Sequence, residues 1–379
     1  MNILNGAMAR FPAGVLGLLA ILTGTATAAE PAISGADGRV GLDVTVYNQD
    51  LALVREIRTV ELPQGIFTLE FRDVPSRIDP VTLLVSGGGD SGFELLEQNY
   101  EFDLISPDKI LEKYVGRKLS WLQEDGSRIE GTLLSVANGP VFEVGEEIVF
   151  EVPGRLALPT MPANLRARPT LVWLVQTRKS GAAELETSYL TRGISWTADY
   201  VLQLDSEGAE ADLQAWVTVN NRTGAAFEEA NLLLVAGDLN QVQPSRENLR
   251  MATAYMADVE KGFTEETLYD YHLYTLGRPT TLKDNQIKQI SLYESQGLAV
   301  VKHYRLGSQP HFFRSLGQLS DRPRVMVSYS FANTSDNNMG MPLPAGVVRV
   351  YGTSTSGSRQ MLGEDRIDHT PQDETCLLY

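Results

Sequence analysis

An apolar residue at every second position is the feature that most limits what this chain can become. In Val40-Gly41-Leu42-Asp43-Val44-Thr45-Val46-Tyr47, the residues Val40, Leu42, Val44 and Val46 fall on one face of an extended backbone, because strand side chains alternate sides. Asn48-Gln49-Asp50 breaks the run, a second run covers 51–62 up to Pro63-Gln64-Gly65, and 66–71 forms a third. Runs separated by Gly, Pro and Asn turns read as antiparallel hairpins. After Gly87-Gly88-Gly89 the segment 93–100 continues the sheet.

A distinct unit is expected at 105–160. Ser106 before Pro107-Asp108 caps a short helix over 107–114, and short strands with Asp125-Gly126 and Asn138-Gly139 turns follow. Helix first and then four or five short strands resembles a small Sm-like or SH3-like barrel, a shape shared by unrelated functions. Residues 163–169 read as a linker, and 165–379 as a third region, with 29–104 as the first. Leu171-Val172-Trp173-Leu174-Val175 has the continuous apolar character of a buried strand, and 216–220 and 232–236 are two more. Between 241 and 266 the pattern weakens to a loose helix or loop. Strands resume at 269–274, 288–293, 299–304, 325–331 and 347–351. The fold class is mainly β, an antiparallel sandwich with the small barrel inserted and few helices.

The first 28 residues have the form of a signal peptide: Arg10, an apolar core over 13–22, and the ending Ala26-Thr27-Ala28. A ten-residue core is too short for a membrane helix, which needs about 20 residues. Cleavage is expected before Ala29, giving a periplasmic or extracellular protein with no transmembrane segment. The net charge is −16, and cleavage removes one cation and no acid. A surface this acidic repels phosphate backbones, so nucleic acid is excluded as a partner, and anionic lipid as a general binding surface. The single cysteine, Cys376, makes no internal disulfide and reads as part of a frayed terminus.

Few chemistries find the residues they need. Gly89-Asp90-Ser91-Gly92 looks like the segment around a trypsin-like nucleophile, but no histidine precedes His272, so it reads as a glycine turn. His272, His303, His311 and His369 are widely spaced for a metal site, although His303 and His311 are within reach of each other across a hairpin. No cofactor is expected. The densest polar cluster runs over 363–374, and Glu364, Asp365, Asp368 and His369 are its candidate site residues. Oxygen-rich loops hold calcium, and a carboxylate pair hydrolyses glycosides, but EF-hand spacing is absent. Tyr269, Tyr271, Tyr274, Tyr293, Phe312 and Phe313 concentrate aromatic surface that packs a core or stacks on sugar.

Several strings resemble a bacterial domain-of-unknown-function family, DUF forty-one thirty-nine, which also forms the C-terminal part of mucoidy inhibitor A. They are Tyr189-Leu190-Thr191-Arg192-Gly193-Ile194-Ser195-Trp196-Thr197-Ala198-Asp199-Tyr200, Leu232-Leu233-Leu234-Val235-Ala236-Gly237-Asp238, Asp270-Tyr271-His272-Leu273-Tyr274, Pro342-Leu343-Pro344-Ala345-Gly346 and Gly363-Glu364-Asp365. The resemblance implies an envelope-associated β-sandwich with no catalytic residues to carry over. It also implies further strands after the acidic string, so a shortened C-terminus is expected to leave an open sheet edge. The leading expectation is a non-enzymatic β scaffold or binding module whose partner is an envelope protein or glycan. The alternative is a glycan-processing hydrolase drawing two carboxylates from Glu364, Asp365 and Asp368, and a metal-binding protein centred on His303 and His311 is the third.

Overall fold

The alternating runs become strands in the computed structural model, which describes residues 30–162, 165–237, 263–268, 271–306, 325–354 and 357–379, with the side chains of 263–268 and 271 outside that description. The largest sheet runs in the order Phe263–Leu268, Tyr271–Leu276, Phe227–Ala236, Arg39–Tyr47, Leu51–Leu62, Gly181–Thr191 and Ile78–Gly87, with Thr280–Leu282 joined to Phe227–Ala236. A four-stranded sheet has the order Ala32–Ser34, Gly65–Arg72, Thr170–Thr177, Glu94–Glu101. A five-stranded sheet runs Gln286–Ala299, Glu210–Asn221, Ile194–Leu204, Gly346–Thr353, Arg359–Ile367. Val301–Leu306, Val325–Ala332 and Thr375–Leu378 make a three-stranded one. The protein is mainly β, and its sheets are rich in antiparallel pairs.

One apolar core joins all four sheets, drawing Val54, Trp173, Leu213 and Phe331 from one sheet each. The strands before residue 105 are not segregated from those after 165. Gly65–Arg72 pairs with Thr170–Thr177, and Leu51–Leu62 pairs from Ala52 to Leu62 with the whole of Gly181–Thr191.

The unit between them keeps its own core. Ser106 Oγ accepts the Lys109 N–H at 3.2 Å and starts the helix Pro107–Tyr114, as the cap residue and the proline after it dictate. Five strands follow in the order Glu147–Val149, Val141–Val144, Arg128–Ser135, Lys118–Leu122, Arg155–Ala157. Tyr114, Leu119, Trp121, Leu133 and Phe142 are buried among themselves, with Trp121 edge-on to Phe142 at 4.8 Å. The two end strands do not pair with each other, so the barrel expected here is an open sheet. Its entry and exit lie side by side, because the Ile105 N–H donates to Arg166 O and the Arg166 N–H to Asp103 O, both at 2.9 Å.

Three expectations change. Residues 263–266, read as loose helix or loop, belong to the strand Phe263–Leu268, while 241–262 lie outside the described residues. Val40, placed on the buried face by alternation, is 61% exposed, because the register slips between Arg39 and Gly41 and leaves Val40 as the extra residue of a bulge. Cys376 is buried in the strand Thr375–Leu378 opposite Phe331, which ties down the end of the chain. No helix among the described residues is long and apolar enough to cross a membrane.

Candidate functional site

The bulge at Val40 has a purpose in the packing. With one residue extruded, Arg39 turns inward opposite Arg58, and its Nε meets Glu56 Oε2 at 2.8 Å. Glu56 and Arg58 are fully buried on the core side of Leu51–Leu62. Arg58 donates to the same Oε2 from Nε at 3.1 Å and from Nη2 at 2.9 Å, while Tyr189 Oη donates to Oε1 at 3.0 Å. Burial, and then the charge on Glu56, hold the Tyr189 phenol well above its ordinary pKa, so it stays a donor. The remaining Arg58 nitrogen, Nη1, crosses to the four-stranded region and donates to Ser34 O at 3.1 Å and Arg72 O at 2.7 Å. Its guanidinium lies 3.7 Å over the Phe71 ring, which stacks in turn on Trp173 at 5.0 Å. The network locks two sheets together by their charges and rings.

A second junction forms where the longer sequence strings meet. Gly193 takes φ +88° between two strands, and Ile194–Leu204 then carries Trp196 and Tyr200 inward. Trp196 Nε1 donates to Val235 O at 3.2 Å, and its ring meets Tyr274 edge-on at 6.2 Å. Tyr274 Oη donates to Pro342 O at 3.2 Å, and Tyr200 Oη to Pro344 O at 2.7 Å. Gly346 then lies directly against Ala198, and a Cβ there would stand 2.3 Å from Ala198 O. Burial raises the Tyr200 phenol well above its usual value. At the edge of this junction His272 stacks on His369, with ring centroids 4.1 Å apart and planes 32° from parallel. Asn333 holds the approach to His369: its Nδ2 donates to Met341 O, Thr370 O and Pro371 O, and its Oδ1 accepts the Gly340 N–H.

The candidate residues of the acidic string are dispersed. Glu364 and Asp365 are neighbours on the strand Arg359–Ile367 and so point to opposite faces. Glu364 faces Arg349 at 3.4 Å, an exposed contact of little energy. Asp365 accepts the Arg366 N–H and the Tyr379 N–H at 2.8 and 2.7 Å. Asp368 is exposed and its backbone oxygen accepts from Thr370 Oγ1. His369 alone enters a junction, with His272. No group of three or more His, Cys, Asp and Glu residues placed to hold a metal occurs among the described residues. His303 hydrogen-bonds Ser330 Oγ at 2.7 Å, and His311 lies outside the described residues.

The aromatic concentration also divides. Tyr274 is core, Tyr293 Oη donates to Asn338 O at 2.8 Å, and Tyr269, Phe312, Phe313 and the Tyr271 side chain lie outside the description. Gly89-Asp90-Ser91 is a single 3-10 turn with Gly88, Gly89 and Gly92 all at positive φ, as a glycine turn requires. The His272–His369 contact escaped the sequence reading because 97 positions separate the two. The one signal was that both sit beside strings belonging to the same resemblance.

No family model matches the chain, and no curated protein matches it.

Proposed function

We propose that the chain is an exported cell-envelope protein, periplasmic or extracellular, that acts as a non-enzymatic β scaffold or binding module of the kind the resemblance implies. The observation that carries this reading is the junction of the strings. Trp196, Tyr200 and Tyr274 each spend their polar hydrogen on a backbone carbonyl of a neighbouring segment. Donors used this way fix the chain's own course and are not presented to a substrate. Meanwhile Glu364 and Asp365 lie on opposite faces of one strand, an arrangement that does not offer two carboxylates to one glycosidic bond.

The test has two parts. Intact-mass analysis of the periplasmic fraction or medium from an expressing cell is expected to find a chain beginning at Ala29, and a product retaining Met1 in the cytosol would overturn export. Crosslinking in envelope extract followed by capture is expected to recover one abundant component, and recovery of nothing above background would overturn the scaffold reading. Hydrolysis of cell-wall or capsular glycan that disappears on Glu364→Gln, Asp365→Asn and Asp368→Asn would instead establish the enzyme.

A further inference from the structure

The three-stranded sheet carries its inward face out past the body that covers it. In the pairs Phe331 with Cys376 and Tyr329 with Leu378, that face begins as core, since Phe331, Cys376 and Leu378 are all buried. Two residues further along each strand the same face bears Tyr304 opposite Val327, and then Leu306 opposite Val325. These are 69%, 42%, 55% and 53% exposed. The opposite face exposes Val301 and Met326 with His303 and Arg305. The last buried pair partner is Ser328, so among the described residues three pairs, roughly 10 Å at 3.4 Å per residue, run on beyond it with exposed side chains on both faces.

Charge separates this arm from the rest of the molecule. Neither Val301–Leu306 nor Val325–Ala332 contains an acid, while Lys302 and Arg305 are both exposed. Lys302 Nζ lies 5.3 Å from the Tyr304 ring and 5.8 Å from that of Tyr329, and the Arg305 guanidinium lies 5.8 Å from the Tyr379 ring. The described strands of the arm thus hold two cations and no acid, in a chain of net charge −16. The balance of the whole chain, which sets anionic lipid aside as a general partner, conceals this local reversal.

We infer that the arm docks on an anionic phospholipid surface. Cations beside tyrosines and aliphatic side chains match the boundary between phosphate headgroups and acyl chains. A bilayer surface covers both faces of a strand pair, whereas a peptide strand added along the edge of Val301–Leu306 leaves both exposed. Repulsion between the acidic body and the lipid is screened over about 8 Å at physiological salt, comparable to the reach of the arm.

Flotation of the purified full chain with vesicles of equimolar phosphatidylcholine and phosphatidylglycerol tests this, beside phosphatidylcholine alone. All three variants below keep the apolar N-terminal segment, so differences from the parent chain report the arm. Binding to the anionic vesicles is expected to fall more than about thirtyfold in Lys302→Glu/Arg305→Glu, since losing each cation near a charged surface costs about fivefold and the new anions add repulsion. It is also expected to fall in Tyr304→Ser/Leu306→Ser, whose cations are intact, and to persist in Lys302→Arg/Arg305→Lys. Equal binding by parent and charge-reversed chains, no preference for anionic vesicles, or a lipid-free dimer abolished by the same substitutions would each overturn the inference. The assay uses purified protein alone, so its failure would leave the export and crosslinking tests of the scaffold reading unaffected.

Discussion

Arg58 shows how one side chain can join two sheets. It answers the buried Glu56 carboxylate, reaches two carbonyls of the neighbouring region and covers an aromatic ring. Removing one partner of a buried ion pair leaves the other charge without compensation, at a cost of about 3–5 kcal/mol. Arg58→Ala is therefore expected to lower the urea unfolding free energy by about that amount. A triple replacement, Arg39→Met and Glu56→Leu with Arg58→Met, is expected to recover much of the loss, because no buried charge of the network is then left behind. Urea midpoints for the three chains check both. Of this arrangement the sequence shows only part. The pattern in 51–62 marks a strand, but Glu56 and Arg58 look like ordinary polar positions until the partner face is known. The inward turn of Arg39 was hidden altogether, because a bulge breaks the alternation that the reading depends on, and no glycine or proline at Val40 announces it.

Strand ends illustrate the opposite case. Alternating runs and the Ser106 cap were legible because local chemistry alone fixes them: a β period of two, a capping hydroxyl and a proline at the first helical turn. The final strand, Thr375–Leu378, was not, since four residues carry too little pattern, and only pairing with Val325–Ala332 makes them extended. That pairing gives a direct assay. Burial, assisted by the charge of Asp365, pushes the Cys376 thiol up to about 12, so it is neutral and covered in the folded protein. Thiol modification near neutral pH is expected to be very slow for the native chain and complete in denaturant, and the replacement Phe331→Ala is expected to speed the native reaction by loosening the strand. Rapid modification of the untouched native chain would show that the strand does not hold. The carboxylates of Arg359–Ile367 follow the same rule in reverse: the string is dense in sequence, but a strand sends neighbouring residues to opposite sides, and so disperses what looks like a cluster.

For the whole molecule, acid is the natural probe. Burial alone would raise Glu70, but the hydrogen bond from Arg72 and the charge of Arg166 outweigh it and lower its pKa. Burial likewise opposes the Asp73 anion, and Arg168 together with the Ala36 N–H prevails, again lowering the pKa. A carboxylate with a folded pKa below its unfolded value contributes stability that is present above the unfolded value and lost as pH falls through the folded one. Ordinary carboxylates titrate at about 4. The urea midpoint is therefore expected to hold near neutrality and decline below about pH 4, less steeply in the double variant Arg166→Ala/Arg168→Ala. A midpoint that rises on acidification would contradict the assignment.

Chain entry and chain exit of the 105–160 unit sit against each other through the backbone bonds of Asp103, Ile105 and Arg166. Such a port behaves like a socket. With entry and exit held this close, an insert of another length can leave by the same door it came in, and the strands on either side need not change neighbours to admit it.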